Sequence, residues 1–597
     1  MEILIIYVIG HIFAAPALAI LAVDPRKASM NRAVIPLHSV TEPRRRKTRS
    51  EAKGRQAAPE AIAAVRALLG DTPRARDLLI EHLHRINDAH GYLPDQLLVA
   101  LAHEMRLSLA EVYETASFYH HFEIVRDDSA VPPLLTVRVC ESLSCAMAGS
   151  AALQRELAER LAANPDVRVI PAPCIGRCNA APAAVVGRHT VDHADVHTLA
   201  QAVAAGDTQP QVPTVIGHAA YVADGGYRLL DELQAGQRSA ESVIEALSQA
   251  GLRGLGGAGF PAGRKWQIVR QQPAPRLIAV NIDEGEPGTF KDRFCIERDP
   301  HRFLEGALIA AHCIGADAIY LYLRDEYAGG RAILERELAA LRAARPALTP
   351  IHLRRGAGAY ICGEESALIE SLEGKRGWPR LRPPYVAEVG LFGRPTLEHN
   401  LETLHWVRDI VERGAAAFAD HGRRGRKGLR AFSLSGRVNQ PGVHLAPAGI
   451  SLRELVDEYG GGMQPGHTLY GYFPGGASGG MLPASLADLP LDFDTLQAHG
   501  CFIGSAAVIV FSQADSAREL ALNAMRFFEH ESCGQCTPCR EGTQRAVQLM
   551  SRPQWDVPLL QELSAVMMDA SICGLGQAAP NPLLCAIKYF PQEFDHA

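Results

Sequence analysis

From Pro59 the apolar residues recur at helical spacing: Val65, Leu68, Leu69, Leu78, Leu79, Leu83 and Ile86 share one face, and Asp71-Thr72-Pro73 breaks the run. The same period predicts more helix through Leu97–Leu101 and Ala110–Phe118. The pattern then changes to strand. Leu134-Leu135-Thr136-Val137-Arg138-Val139 runs straight into Cys140, and a helix over 151–163 and a strand at Val167–Ile170 lead on to Cys174 and Cys178. This β–α–β unit puts cysteines at strand ends, where loops can turn several side chains toward one centre. Residues 206–239, opening on Gly206-Asp207-Thr208-Gln209-Pro210, read as a linker. An α/β stretch follows, with buried-strand candidates at Leu277–Asn281 and Ala318–Leu323. Between 431 and 515 the chain carries short β runs among many glycines, such as Ala431–Gly436 and Ala506–Phe511, and from Ser516 it is helical again.

The first 58 residues lack this order and read as disordered, being basic and poor in periodicity, with one exception. Ile3–Val23 is almost wholly apolar and approaches the length of a membrane span. It carries His11 and Pro16 with no preceding Lys or Arg, which suits a signal peptide badly; the following Arg44-Arg45-Arg46-Lys47 would keep the rest of an anchored chain cytoplasmic. A start at Met30, with the upstream stretch untranslated, is the favoured expectation, ahead of an anchor and then a cleaved signal; unless the signal reading holds, the working protein is expected to face the cytoplasm, and the favoured start leaves it without a membrane. Length allows about four domains at roughly 150 residues each. A net charge of −6 and 6% aromatic residues argue against a nucleic-acid partner, which would demand basic excess or stacking platforms.

Eight of the thirteen cysteines form two sets. Cys140-x4-Cys145 joins Cys174-x3-Cys178, a spacing that suits a [2Fe–2S] cluster; Cys533-x2-Cys536-x2-Cys539 with the remote Cys573 suits a [4Fe–4S] cubane. Structural zinc is the alternative, although it usually takes two separated pairs rather than three cysteines in one run. Disulfides fit poorly, because clustered cysteines in a large enzyme-like chain read as metal or redox sites. Cys295, Cys313, Cys362, Cys501 and Cys585 are scattered and read as small buried hydrophobes. Two cluster sites make the chain an electron conduit.

Gly254-Leu255-Gly256-Gly257-Ala258-Gly259 matches the dinucleotide fingerprint in letters only. That fingerprint needs a strand before it, whereas Glu241–Leu247 is helical and Pro261 follows the loop at once. What remains is either a tight turn or a loop whose backbone N–H groups, with Arg264 and Lys265, can cradle a phosphate. Asn281-Ile282-Asp283-Glu284-Gly285-Glu286-Pro287-Gly288 packs three carboxylates into a turn, and Gly356–Gly363 with Glu364-Glu365 opens a helix. Such acids can bind a divalent metal, sit solvated, or accept hydrogen bonds from ribose hydroxyls and ring N–H groups. An acid lining also repels a ribose 2′-phosphate, which favours NAD over NADP.

Together these motifs resemble a known family. Residues 59–205, with Glu114–Tyr119 and the first cysteine set, look like the small [2Fe–2S] flavoprotein subunit of respiratory complex I; residues 240–595 look like its larger NADH-oxidising, FMN-binding partner. Their fusion resembles the diaphorase subunits of soluble NAD-linked formate dehydrogenases and NAD-reducing hydrogenases. The complete first cysteine set, together with Gly475–Gly480, Leu482–Ser485 and Gly504–Val508, leans toward the formate dehydrogenase beta subunit. The resemblance implies an α/β multidomain chain: a helical domain over 59–130, a thioredoxin-like [2Fe–2S] domain over 131–205, a Rossmann-like FMN and NAD domain over 240–430, a β-grasp domain over 431–515 and a helical [4Fe–4S] domain over 516–597.

Carried over by position, FMN contacts fall on Gly254, Gly256, Lys265, Asn281, Asp283, Tyr360, Gly363, Glu364 and Asn400, with Glu284 in the same acidic turn. NADH would lie near Phe260, Glu286 and Glu365. Three positions depart from the family pattern: Arg382 where Lys is usual, Tyr385 where Phe is usual, and His399 where the first Asn of an Asn-Asn pair is usual. No side chain is expected to act as acid or base, because the flavin carries the hydride chemistry. Nothing in the chain can itself oxidise formate, so the resemblance implies a catalytic alpha subunit with a molybdenum- or tungsten-pterin and further iron–sulfur clusters.

Overall fold

The computed structural model describes residues 54–594. The apolar stretch Ile3–Val23 and most of the expected disordered segment lie outside the described residues. Among those described, no helix is long and apolar enough to cross a membrane.

The N-terminal helices form where the apolar spacing placed them: Pro59–Leu69, Leu79–His90, Asp95–Met105 and Leu109–Phe118. The last begins at a capping box, in which the Ser108 hydroxyl accepts from the Glu111 N–H at 3.2 Å and the Glu111 carboxylate accepts from the Ser108 N–H at 3.0 Å. Next comes a four-stranded sheet ordered Val167–Ala172, Leu135–Cys140, Ala184–Val186, His189–Val191. The first pair is parallel and the others antiparallel. This is the thioredoxin-like unit. Its closing hairpin is too short, at three residues a strand, for a period-2 pattern to register.

Residues 206–239 are not a bare linker. Helices His218–Ala223 and Arg228–Gln234 bury Tyr221, Tyr227, Leu229, Leu230 and Leu233. The Tyr221 hydroxyl donates to Glu305 at 2.6 Å, and Tyr227 pairs with His301 at 2.7 Å, both on the helix Pro300–Ile314. The glycines and prolines that read as a spacer only bracket two short docking helices.

The central sheet is wholly parallel and ordered Thr396–Asn400, Arg276–Ile282, Ala316–Leu323, Ile351–Arg355. The chain lays down two strands to one side of its starting strand, Arg276–Ile282, and then returns to the other side. The switch therefore lies between Arg276–Ile282 and Thr396–Asn400, and a ligand crevice belongs outside the carboxyl ends of such a pair. Pro300–Ile314 is apolar nearly all round and almost fully buried, as a helix at the centre of a large domain must be.

A five-stranded mixed sheet follows, ordered Gly442–Pro447, Leu429–Gly436, Ala507–Ser512, Leu469–Phe473, Leu482–Pro483. The central pair is parallel and the others antiparallel, the β-grasp arrangement. Helices Ala517–Glu531, Thr537–Met550, Val557–Ala570, Gly574–Ala578 and Asn581–Tyr589 complete the chain.

Candidate functional site

The glycine loop has no strand before it. Helix Ala240–Ala250 leads in and helix Ala262–Arg270 leads out, so it is not a dinucleotide-fingerprint turn. It closes on itself, the Gly254 N–H donating to the Phe260 carbonyl at 2.8 Å, and Thr403 pins it by accepting from the Leu255 N–H at 2.9 Å. A Cβ on Gly256 would stand 2.9 Å from the Asn400 Cβ, so glycine lets the loop close over the switch point; Gly257, at φ +146°, faces open space.

Strand alternation sorts the residues of Thr396–Asn400. His399 turns into the core, where it accepts from the Trp266 indole N–H at 2.8 Å. Its departure from the family pattern is thus met by a core partner. Glu398 takes the other face, accepting from Lys265 Nζ at 3.1 Å and from the Asn281 amide at 3.2 Å. The same amide donates to the Gly363 carbonyl at 2.9 Å, so Lys265, Glu398, Asn281 and Gly363 form one continuous wall. Lys265 also stands 3.6 Å from Glu365, and Arg382 reaches Glu364 and, at 2.9 Å, Glu365. Glu364 caps its helix, accepting from the Ser366 and Ala367 N–H groups at 3.0 and 2.9 Å; burial nevertheless pushes its carboxyl above the usual range. Phe260 lies beneath Arg264, whose guanidinium carbon is 5.7 Å from the ring centroid, and Tyr385 stands exposed at the rim.

The acidic turn divides its three carboxylates among different tasks. Asp283 Oδ2 is buried with no hydrogen-bond partner, and burial pushes the carboxyl well above its usual range. An orphaned buried acceptor at the switch-point crevice fits a ligand that donates to it. Glu284 does not join it. Its oxygens accept from the Asp292 and Arg293 N–H groups at 2.8 and 3.1 Å and from the Tyr327 hydroxyl at 2.8 Å, so its carboxylate is spent at the start of helix Lys291–Arg298 rather than facing a cofactor. Glu286 accepts from the Tyr360 hydroxyl and, at 2.8 Å, from the Ser478 N–H in the β-grasp domain. Its carboxyl is pushed up to about 7, by burial first.

Several partners carried no sequence signal beyond adjacency to the motifs. Lys291 is fully buried, with Nζ 2.8 Å from Asp292, 2.9 Å from Asn400 Oδ1 and 3.2 Å from Glu402. Asp292 also accepts from the Asn400 amide at 2.6 Å, so this group of charges fixes which way Asn400 points. The Lys-Asp pair just after the acidic turn was the one available hint.

Both cysteine sets abut this crevice. Cys140, Cys145, Cys174 and Cys178 are all buried, with the last two sulfurs 3.3 Å apart. Hydrogen bonding with neighbouring thiols raises Cys140 and Cys178, and donation from those same thiols holds Cys174 well below its usual range. Phe290, at the end of the acidic turn, packs directly on Cys174 and Cys178. Two buried arginines hold the cysteine loop: Arg324 donates to the Cys174 carbonyl at 2.7 Å, and Arg293 to the Gly176 carbonyl at 3.0 Å and to Asn179 at 3.0 Å.

On the other side, the Tyr360 N–H donates to Glu531 at 3.0 Å, two residues before Cys533, and the Tyr360 ring packs on Phe527 at 5.0 Å. The Trp378 indole donates to the Cys533 carbonyl at 3.1 Å. Cys536 precedes helix Thr537–Met550, Cys539 lies in its first turn, and Cys573 precedes helix Gly574–Ala578. A Cβ on Gly576 would stand 2.8 Å from the Cys539 Cβ, so the glycine of Ser571–Gly576 lets the remote cysteine close on the run. Burial pushes Cys539 up to about 11 and raises Cys533 and Cys573, so these thiols ionise only against a cationic centre.

A cradle of glycine backbone and carboxylates at a parallel-sheet switch point, flanked by two cysteine sets, defines a flavin- and iron–sulfur-binding electron-transfer protein. Comparison with known proteins agrees. Residues 247–409 match the Nuo51 FMN-binding domain, residues 519–597 the NADH-ubiquinone oxidoreductase-F iron–sulfur binding region, and residues 65–206 the thioredoxin-like [2Fe–2S] ferredoxin. The chain is 43% identical over 392 residues to the F 2 subunit of the NADH-quinone oxidoreductase of Rhizobium meliloti (strain 1021), covering 63% of this chain and 92% of that one. It is 40% identical over 390 residues to the corresponding F subunit of Aquifex aeolicus (strain VF5), covering 63% and 90%. A solved chain of an NAD+-reducing [NiFe]-hydrogenase superposes with a TM-score of 0.78 at 34% identity, over 88% of this chain and 94% of that one. The chain belongs to the family of NADH-quinone oxidoreductase F subunits, the FMN- and NADH-binding flavoproteins of the complex I type, with a [2Fe–2S] ferredoxin domain on the same polypeptide.

Proposed function

We propose that this chain is the diaphorase (beta) subunit of a cytoplasmic NAD-dependent formate dehydrogenase. In that role it receives electrons from a formate-oxidising molybdenum- or tungsten-pterin subunit and reduces NAD+ to NADH, reversibly. The observation that carries the diaphorase reading is the convergence at the switch point of Glu286 and Tyr360, hydrogen-bonded to each other beside the orphaned Asp283 oxygen, with Phe290 of the same turn packed on the Cys174 loop and Tyr360 tied to Glu531 ahead of the Cys533 turn. The formate assignment rests on the complete first cysteine set and the Gly475–Gly480 run. NAD-reducing hydrogenase is the second reading, favoured by the extent of the structural match.

Bound FMN would supply the conversion between hydride and single-electron chemistry. In this reading the loop Gly254–Gly256 and Lys265 hold its phosphate end, while Asn281, Gly363, Glu364 and Asn400 line its body. Asp283 accepts from a flavin donor through the oxygen that lacks a partner. Tyr360, tied to Glu531 two residues before Cys533, would join the flavin's surroundings to the Cys533 turn. Glu286 and Glu365 accept hydrogen bonds from NADH ribose hydroxyls and exclude a 2′-phosphate by charge, and Phe260, Arg382 and Tyr385 form the apolar and cationic rim against the adenine end. Glu284 positions helix Lys291–Arg298 instead.

The test is anaerobic purification of the chain with whatever accompanies it, followed by formate-dependent NAD+ reduction and NADH–dye reductase assays. Formate turnover with a large pterin-containing partner supports the assignment. Dye reduction with hydrogen-dependent rather than formate-dependent NAD+ reduction would transfer it to the hydrogenase reading.

A further inference from the structure

A second constellation of ligand-type side chains, sharing no residue with the flavin site or either cysteine set, lies where the N-terminal helices meet the central sheet. Helix Leu79–His90 carries His84 and Asn87, His121 follows helix Leu109–Phe118, and Asp325 stands just past strand Ala316–Leu323. One nitrogen from each histidine and one Asp325 oxygen all lie within 4.8 Å of one another.

The hydrogen bonding here is incomplete in one direction only. His84 is 2% exposed, and its Nε2–H donates to the Gly356 carbonyl at 2.8 Å. That bond fixes the tautomer and leaves Nδ1 as a lone pair, which is buried with no partner. Asn87 holds its Nδ2 3.2 Å from His121 Nε2 while its Oδ1 is likewise buried without a partner. His121 Nδ1 is 2.7 Å from Asp325 Oδ2. Two orphaned acceptors thus stand beside an imidazole–carboxylate pair, so what is missing is positive character: a cation, or a water donating both its hydrogens.

Protonation states suit the cation. Burial holds the His84 imidazole well below its usual range, so it is neutral and free to ligate. Burial works against the Asp325 carboxylate, but His121 and Arg355 together hold it well below its usual range, so it is ionised. Arg355 already donates from Nε to Asp325 Oδ1 and pairs with Asp88 at 2.7 Å, so two carboxylates face one guanidinium, and Asp325 Oδ2 is left facing His121.

We propose that His84, His121 and Asp325 bind one divalent transition-metal ion that fastens the N-terminal helical domain to the flavin domain. Two imidazoles and a carboxylate are the borderline nitrogen and oxygen donors that zinc takes, with a water or the Asn87 oxygen completing the shell. The ion would displace the proton between His121 and Asp325. Asp325 directly follows Arg324, which grips the Cys174 carbonyl, so the ion would also tie down the end of the strand that holds the [2Fe–2S] loop.

The other group of this kind, His120, His530 and Glu531, makes the natural control. Its histidines are exposed and stack face to face at 4.2 Å, and Glu531 already accepts from Tyr360 and His530.

The test uses the purified holoprotein, briefly washed with a weak chelator and then supplied with zinc chloride alone. Zinc and iron per chain are measured by elemental mass spectrometry, and the zinc environment by X-ray absorption. Wild type should retain about one zinc per chain, with a two-imidazole scattering signature. His84→Ala and Asp325→Asn should each weaken retention at least about tenfold while iron and flavin contents match wild type, and His530→Ala should retain zinc as wild type does. No retained zinc in wild type would mean that water fills the gap and would overturn the proposal. Equal retention in all variants, or loss only in His530→Ala, would overturn it equally.

Discussion

Replacing Glu286 with glutamine separates the cost of burying this carboxylate from its use. In the native chain its two oxygens accept from the Tyr360 hydroxyl and the Ser478 N–H, and burial raises its pKa from 4.5 to about 7. At about 1.4 kcal/mol per pH unit, the ionised form then costs folding up to about 3 kcal/mol. The sign follows from the raised value: stability is full below pH 4.5 and lost as pH rises through 7. Glutamine does not ionise. The stability of Glu286→Gln relative to wild type should therefore climb between pH 5 and pH 8 by up to about 3 kcal/mol, from a deficit set by one weakened hydrogen bond of about 1 kcal/mol. Function should move the opposite way. If the carboxylate accepts a ribose hydroxyl, its loss removes a charge-assisted bond of about 1.5–3 kcal/mol, raising KM for NADH roughly 10- to 150-fold with FMN still bound. Thermal unfolding at several pH values and NADH–ferricyanide kinetics across the same range measure both. A wild-type KM that improves with an apparent pKa near 7, and a variant flat in pH, are expected. Parallel stability curves together with unchanged KM would refute the reasoning.

Cys573→Ala should abolish the four-iron paramagnetic signal and transfer to a partner while NADH–ferricyanide activity persists; an intact four-iron spectrum would mean that another residue is the fourth ligand. Lys291→Met strands Asp292 and Glu402 in the core and should cost about 3–5 kcal/mol, with loss of flavin as Asn400 is released, read by thermal unfolding and FMN content. Gly476→Ala places a Cβ 2.6 Å from Glu286 Cγ at a φ of +77°, so it should cost about 2–4 kcal/mol and raise KM for NADH; a wild-type Tm and KM would contradict that geometry.

The elements with long, regular patterns were legible from sequence: the helices from Pro59, the strand entering Cys140, the strand Ala316–Leu323 and the C-terminal helices all form near their expected places. The docking helices in 206–239 were not, because six- and seven-residue helices bury only a few side chains each and are flanked by turn-forming residues. Motif spacing singled out the candidate ligand cysteines but not which carboxylate faces where. Glu284 sits between Asp283 and Glu286 in sequence, yet its side chain is committed to a helix start that only the fold brings near. Likewise Cys501 and Cys585, read as isolated, lie 3.6 Å apart across 84 residues. Glu398 and Lys291 became visible as part of the site only when strand pairing set their faces.

The central claim is that one chain joins an NADH-binding flavin site to two iron–sulfur clusters. Anaerobic titration of the purified chain with NADH, followed by visible absorption and electron paramagnetic resonance and paired with metal and flavin analysis, tests it most directly. About six iron and one FMN per chain are expected, with NADH bleaching the flavin and bringing up cluster signals of the two-iron and four-iron types to the extent their potentials allow. A colourless preparation holding zinc at the cysteine sets, or clusters that dithionite reduces while NADH reduces neither them nor a flavin, would contradict it.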